Sequence, residues 1–304
     1  MTIEEVLTGA VDIGGTKIHI GIVNRAGDIL AEDFFPSAFE QPDAKLAMDE
    51  LLKSFDVMCK KIGVSMAGLR GIGVGCTGPV NTEKGTVENP YTLPGWEGFE
   101  ISKYLSVKSG LPVKMENDAN AALLGEVYQR DLRDKKVLMV TVGTGIGVAF
   151  WKRGRLHRSG KYHPEMGHVI VSSKGERCYC GHKGCMEGLC SGKALNKRAF
   201  DAGYADFDEL YVRAGDNERK AALLLEQIRR DFANGFWNLN IVFKPEIILL
   251  AGGFAKKYFS FLEKIICEDS TGREDWVESF TVLSPWGNKN PALVGVNMLF
   301  DGLD

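Results

Sequence analysis

The stretch CYCGHKGCMEG sets Cys178, Cys180 and Cys185 at C-x-C-x4-C spacing, with Glu187 just behind them. Thiols crowded in this way, in a chain expected to be cytoplasmic because its start, MTIEEVLTG, is acidic and not positive-then-apolar, point to metal binding or catalysis rather than to disulfides. A redox pair is the weaker reading, because C-x-x-C is missing. A second chemical place is MENDANAALLGE, where Asn117 and Asp118 close an extended piece and open a helix. Capping is one use for such residues. The other is a carboxylate poised to take the proton of an alcohol attacking a γ-phosphate, since an alcohol is a weak nucleophile at neutral pH.

Glycine turns form the third group. Gly14-Gly15-Thr16-Lys17 and Gly143-Thr144-Gly145 each separate two apolar runs, and Gly252-Gly253 follows the buried-looking run PEIILLA. Glycine lets a ligand approach the backbone, and such turns expose successive N–H groups that can cradle phosphate oxygens. Thr16 and Thr144 add hydroxyls and Lys17 a charge. A plain tight hairpin is the competing reading for either loop alone; none of them is a Walker A loop or a dinucleotide fingerprint. Taken together they suggest a nucleotide held in an interdomain cleft.

The elements that must position these residues read as α/β. Ile18, Ile20 and Ile22 alternate as in a half-buried strand, and VLMVTVGTGIGVAFWKRGRL echoes the strand–turn–strand pattern around Gly14. That internal echo suggests two domains of related build. Leu51, Phe55, Met58 and Ile62 share one helical face; Leu225, Ile228, Phe232, Phe236 and Leu239 share another, on a helix expected over 219–242. Strands alternating with helices favour mixed or parallel sheets. The expected division is 1–118 and 119–290, with a C-terminal helix at about 291–304 packing back on the first domain. Cys59, Cys76, Cys190 and Cys267 read as small core residues.

A chain of 304 residues exceeds what one core usually supports. Its 44% hydrophobic and 25% charged residues are ordinary for a globular protein. A net charge of −3 without a basic tract gives no reason to expect nucleic acid or an anionic membrane. The acidic N-terminus and the lack of a long apolar run favour a cytoplasmic protein.

DIGGTK, GVGCTGPVN, ENDANAA, VTVGTGIG, HPEMGH, CYCGHKGCMEG and LLAGG occur in an order and spacing that resembles the ROK family of sugar kinases, from about residue 10 to the C-terminus. The resemblance implies a two-domain actin-like (ribonuclease H-like) ATPase fold, with sugar and ATP in the cleft and Mg²⁺ as counter-charge. Some ROK members are repressors with an added N-terminal DNA-binding domain. Here the first motif begins at Asp12, which favours the enzyme over a sugar-sensing regulator.

By motif, Asp118 matches the family's catalytic base and Asn117 its neighbouring sugar ligand. Gly78, Asn89, Glu165, His168 and Glu187 match sugar-contacting positions, a polar set suited to a ring of hydroxyls. Asp12, Gly14, Gly15, Thr16, Lys17, Gly143, Thr144, Gly145, Gly252 and Gly253 match the nucleotide and phosphate positions. His168, Cys178, Cys180 and Cys185 match a structural zinc site, with His182 expected to stay outside. The resemblance also implies a homodimer. One departure is GKYHPEMGH, where Tyr162, His163 and Pro164 replace small residues. A tighter loop leaves less space for an N-acetyl group, so glucose, fructose or mannose ranks above N-acetylmannosamine or N-acetylglucosamine. Whether ATP or polyphosphate is the donor stays open.

Overall fold

The computed structural model describes residues 6–37, 43–88, 90–273, 275–285, 287 and 289–302. The described residues within 1–134, 149–164 and 286–304 form one compact unit, and those within 135–148 and 165–285 form a second.

Unit 1 begins with β1 (Leu7–Ile13), β2 (Lys17–Asn24) and β3 (Ile29–Pro36), an antiparallel run joined by short turns. Helix α1 (Ala44–Lys61) follows, with Asp43 accepting from Lys45 and Leu46 N–H as its N-cap. Then come β4 (Ile72–Cys76), the two-residue strands β5 (Val80–Asn81) and β6 (Thr86–Val87), α2 (Ile101–Ser109), β7 (Val113–Asn117) and α3 (Asp118–Gln129). The sheet order is β3-β2-β1-β4-β7, with β1, β4 and β7 parallel. Ile18, Ile20 and Ile22 are fully buried and share a core with Leu51 and Phe55, as the alternation and the helical stripe predict.

The second sheet has the order β10-β9-β8-β11-β12. Its strands are β8 (Lys136–Val142), β9 (Ile146–Lys152), β10 (Arg155–Leu156), β11 (Ile247–Ala251) and β12 (Thr281–Leu283). Strand β11 runs parallel to β8 and β12. The helices are α4 (Met186–Cys190), α5 (Gly192–Asp201), α6 (Phe207–Gly215), α7 (Arg219–Phe243), α8 (Gly253–Lys257) and α9 (Phe259–Ser270). In α7 four of the five expected stripe residues, Ile228, Phe232, Phe236 and Leu239, are buried, whereas Leu225 is only half-buried. Both sheets place a hairpin beside parallel strands, which is the physical content of the internal echo.

Helix α10 (Pro291–Met298) follows β12, and every residue of it from Ala292 to Met298 is buried. It belongs to unit 1 and packs on α3, whose sequence position had placed it at the start of the other domain. The approach is backbone on backbone. A Cβ on Gly295 would stand 1.7 Å from the Ala121 carbonyl oxygen, and one on Gly125 would stand 2.1 Å from that of Pro291. Only glycine permits this spacing. Cys59, Cys76 and Cys190 are buried as expected, whereas Cys267 lies on the exposed face of α9.

Candidate active site and metal knot

In unit 1 the carboxyl ends of the parallel strands gather the chemistry, the usual place for ligands in such sheets. Asp12 is at the end of β1, Gly78 follows β4, and Asn117 and Asp118 stand where β7 becomes α3. Asn117 is the N-cap: its side-chain oxygen accepts from Ala119 N–H at 2.9 Å and Asn120 N–H at 3.2 Å. Capping is therefore Asn117's structural job, and its side chain also hydrogen-bonds Asp118. Asp118 accepts from Ala119 N–H at 2.8 Å. Burial, followed by the nearby charge of Asp12, raises the Asp118 carboxyl to about 7 despite these hydrogen bonds.

The Asp12 carboxyl is likewise raised by burial, while a hydrogen bond from Asn290 pulls it the other way. The glycine turn after β1 is closed by Gly14 N–H donating to Lys17 O at 2.9 Å, with Gly15, Thr16 and Lys17 exposed. The Lys17 ammonium sits 3.9 Å from the centre of the Phe34 ring. Asn89 lies outside the described residues.

Sequence reasoning missed what supports Asn117 and Asp118. Glu116, 1% exposed, accepts from Asn117 N–H and the Asn120 amide through one oxygen. Its other oxygen takes Arg158 Nε at 2.9 Å and a terminal guanidinium nitrogen at 2.6 Å. A carboxylate one residue before the strand-to-helix junction was the available signal, because a buried carboxylate needs a partner. Asn290, beside Asp12, left no such trace.

In unit 2 the turn after β8 carries Gly143, Thr144 and Gly145. Gly143 N–H donates to Gly145 O at 3.0 Å, and Gly192 N–H, opening α5, donates to Gly143 O at 2.8 Å. Gly252, at φ +90°, follows the neighbouring β11, and a Cβ there would stand 2.5 Å from Val142 O. Gly253 opens α8. The two glycine pieces thus lie at the same end of parallel strands. Glu187 joins them to the cysteine stretch, accepting from Ile146 N–H at 2.9 Å.

Glu165 is exposed, and both it and Glu187 act on the Tyr179 hydroxyl, whose pKa is raised by burial and by these carboxylates. The Tyr179 ring meets His168 edge-on at 5.0 Å. Glu165, His168 and Glu187 therefore surround one tyrosine in the cysteine loop.

His168, Cys178, Cys180 and Cys185 offer ligand atoms that all lie within 4.8 Å of one another. Cys178 Sγ is 3.5 Å from His168 Nδ1, and Cys180 Sγ is 3.5 Å from Cys185 Sγ. A tetrahedral zinc with Zn–S bonds of about 2.3 Å needs ligand edges of about 3.8 Å, so this donor set fits the ion. His182 is not among the four.

The defining sequence pattern of the ROK family matches residues 8–296. A glucokinase from Thermotoga maritima is 28% identical over 273 residues, covering 81% of this chain and 81% of that protein. An N-acetylmannosamine kinase from Vibrio cholerae serotype O1 is 29% identical over 265 residues, covering 85% and 88%. Among solved structures, a ROK hexokinase from Thermus thermophilus superposes with a TM-score of 0.83 at 28% identity, covering 98% and 100%. Two like sheets, each with glycine turns at the ends of parallel strands, and a family match over nearly the whole length place this chain in the ROK family, with its actin-like ATPase fold.

Proposed function

We propose that this protein is an ATP-dependent hexose kinase, transferring the γ-phosphate of ATP to the C6 hydroxyl of glucose, fructose or mannose. The observation that carries the reading is Asp118, held at the head of α3 with its carboxyl raised to about 7. A base with a pKa near the working pH is both ionised and able to take a proton. As the sugar oxygen bonds to phosphorus, its proton passes to Asp118, and ADP leaves with the electrons of the broken P–O bond. Asp118 then returns the proton to solvent.

Asn117, Gly78, Asn89, Glu165, His168 and Glu187 hold the sugar hydroxyls in this reading. Asp12, Gly14, Gly15, Thr16, Lys17, Gly143, Thr144, Gly145, Gly252 and Gly253 hold the nucleotide. Mg²⁺, when bound with ATP, offsets the negative charge spread over the transferring phosphoryl group. Zinc on His168, Cys178, Cys180 and Cys185 fixes the shape of the sugar-side loop and takes no part in the transfer. The protein is proposed to act in the cytoplasm as a homodimer. No helix among the described residues is long and apolar enough to cross a membrane.

The preference for an unsubstituted hexose rests on the loop before Glu165. Tyr162 donates to Glu88 at 2.9 Å, its backbone pairs with Ser159, and His163 is buried, so this bulky loop is pinned within unit 1. The likeness to an N-acetylmannosamine kinase supports a second reading, an N-acetylhexosamine kinase. A panel of glucose, fructose, mannose, N-acetylmannosamine and N-acetylglucosamine, with ATP or polyphosphate as donor, separates them by ADP or phosphate-ester formation. Fastest turnover is expected on an unsubstituted hexose with ATP. Sugar binding without turnover on any member would replace both readings with a regulator.

A further inference from the structure

The antiparallel register of β1 and β2 sets Asp12 opposite His19. Asn290, the residue before α10, reaches both. Its amide nitrogen lies 2.8 Å from Asp12 Oδ2 and 3.0 Å from His19 Nδ1, while its oxygen accepts from Ala292 N–H at 2.9 Å. His19 Nε2 in turn lies 2.9 Å from Glu32 Oε2.

Chemistry fixes the direction of every bond in this chain. A backbone N–H can only donate, so the Asn290 oxygen faces Ala292 and its NH₂ faces Asp12 and His19. His19 Nδ1 must then be the bare acceptor, which leaves the ring proton on Nε2, where Glu32 accepts it. Each proton has one place.

We propose that Asn290 is a positioning residue for Asp12, with His19 and Glu32 holding the Asn290 amide in its donating orientation. The proposal rests on the reading of Asp12 as part of the nucleotide site. Burial alone disfavours the ionised Asp12 carboxylate, and the Asn290 hydrogen bond favours it. A carboxylate fixed in direction before a magnesium–nucleotide complex arrives needs no rearrangement when it binds. The competing account is that Asn290 merely caps α10.

Substitution separates the two roles. Ser is as good an N-cap as Asn but too short to bridge to Asp12, and Asp keeps cap and shape but has no NH₂ to donate. ADP affinity is measured by titration calorimetry with and without Mg²⁺ on the full chain, alongside the melting temperature. Wild type is expected to bind ADP more tightly with Mg²⁺. Asn290→Ser should melt close to wild type yet lose about tenfold of that magnesium-dependent gain, the size of a charge-assisted hydrogen bond. His19→Ala should lose about threefold, because water can accept the second amide hydrogen. If Asn290→Ser fails to fold, Asn290→Asp decides, with the same expected loss. A gain retained in the folded variants overturns the positioning role alone. A wild type without any magnesium-dependent gain overturns the nucleotide-site reading of Asp12 as well.

Discussion

At the residue scale, Asp118 joins two facts that pull against each other. The N-terminus of α3 and the Asn117 amide stabilise its charge, yet burial and Asp12 raise its carboxyl from 3.8 to about 7. Wild-type kcat is therefore expected to climb with pH up to about 7 along a single-proton limb, and Asp118→Asn to lower it by about 10²- to 10⁴-fold with little change in sugar KM. Stability gives an independent check. Between about pH 4 and pH 7 the folded ligand-free protein keeps a proton that the unfolded chain has released, so this group's stabilisation falls as pH rises through that window. Asp118→Asn should therefore stabilise the ligand-free protein at pH 8 by on the order of 1–2 kcal/mol after allowance for its partial exposure, read as a higher melting temperature. Glu116 is the complementary case, a buried carboxylate that has its cation. Arg158→Ala leaves that charge unpaired and should destabilise the fold by roughly 3–5 kcal/mol in urea titrations, lowering kcat as the head of α3 loosens. The Asn117-Asp118 pair was legible because its residue types are unusual between a strand and a helix. Arg158 was not, because a cation on the chain far from Glu116 has no local mark.

At the element scale, the cysteine loop and the α3–α10 pair show two ways of holding side chains in place. The loop has few large apolar residues, and its thiols and imidazole converge instead on one point. One zinc per chain is expected by elemental analysis. Chelation or Cys185→Ser should lower melting temperature and sugar affinity together, because His168 belongs to the knot and Glu187 lies two residues beyond Cys185. A zinc-free protein with unchanged melting and sugar affinity would remove the metal from the account. The α3–α10 pair relies on the lack of side chains. Gly295→Ala pushes a methyl group into the Ala121 carbonyl and should cost about 3 kcal/mol or more, with Asp118 activity falling as α3 shifts. The cysteine spacing announced the first device. The second was silent: a glycine in an apolar helix is equally compatible with a loose end and with a backbone-on-backbone contact.

At the scale of the whole molecule, the repeated sheet order implies that each unit offers its own glycine turns at the carboxyl ends of its parallel strands. Ligand linkage tests whether both turns serve one nucleotide. Magnesium with a non-hydrolysable ATP analogue at a hundred times its Kd should stabilise the protein by about 2.7 kcal/mol. Lys17→Ala and Gly145→Val should each reduce that gain. The sequence alone determined the strands beside the glycine turns and the helices α1, α3, α7 and α10, through periodicity of 2 and 3.6, and it singled out the candidate site residues as thiols, carboxylates and glycine turns at short spacing. Those signals are local, so they survive in a one-dimensional text. Tertiary structure alone decided that α3 sides with α10, that Arg158 neutralises Glu116, and that Asn290 reaches Asp12 and His19. Each of these joins residues distant along the chain, and such pairing depends on how packed backbones bring side chains within about 3 Å, which no local pattern encodes.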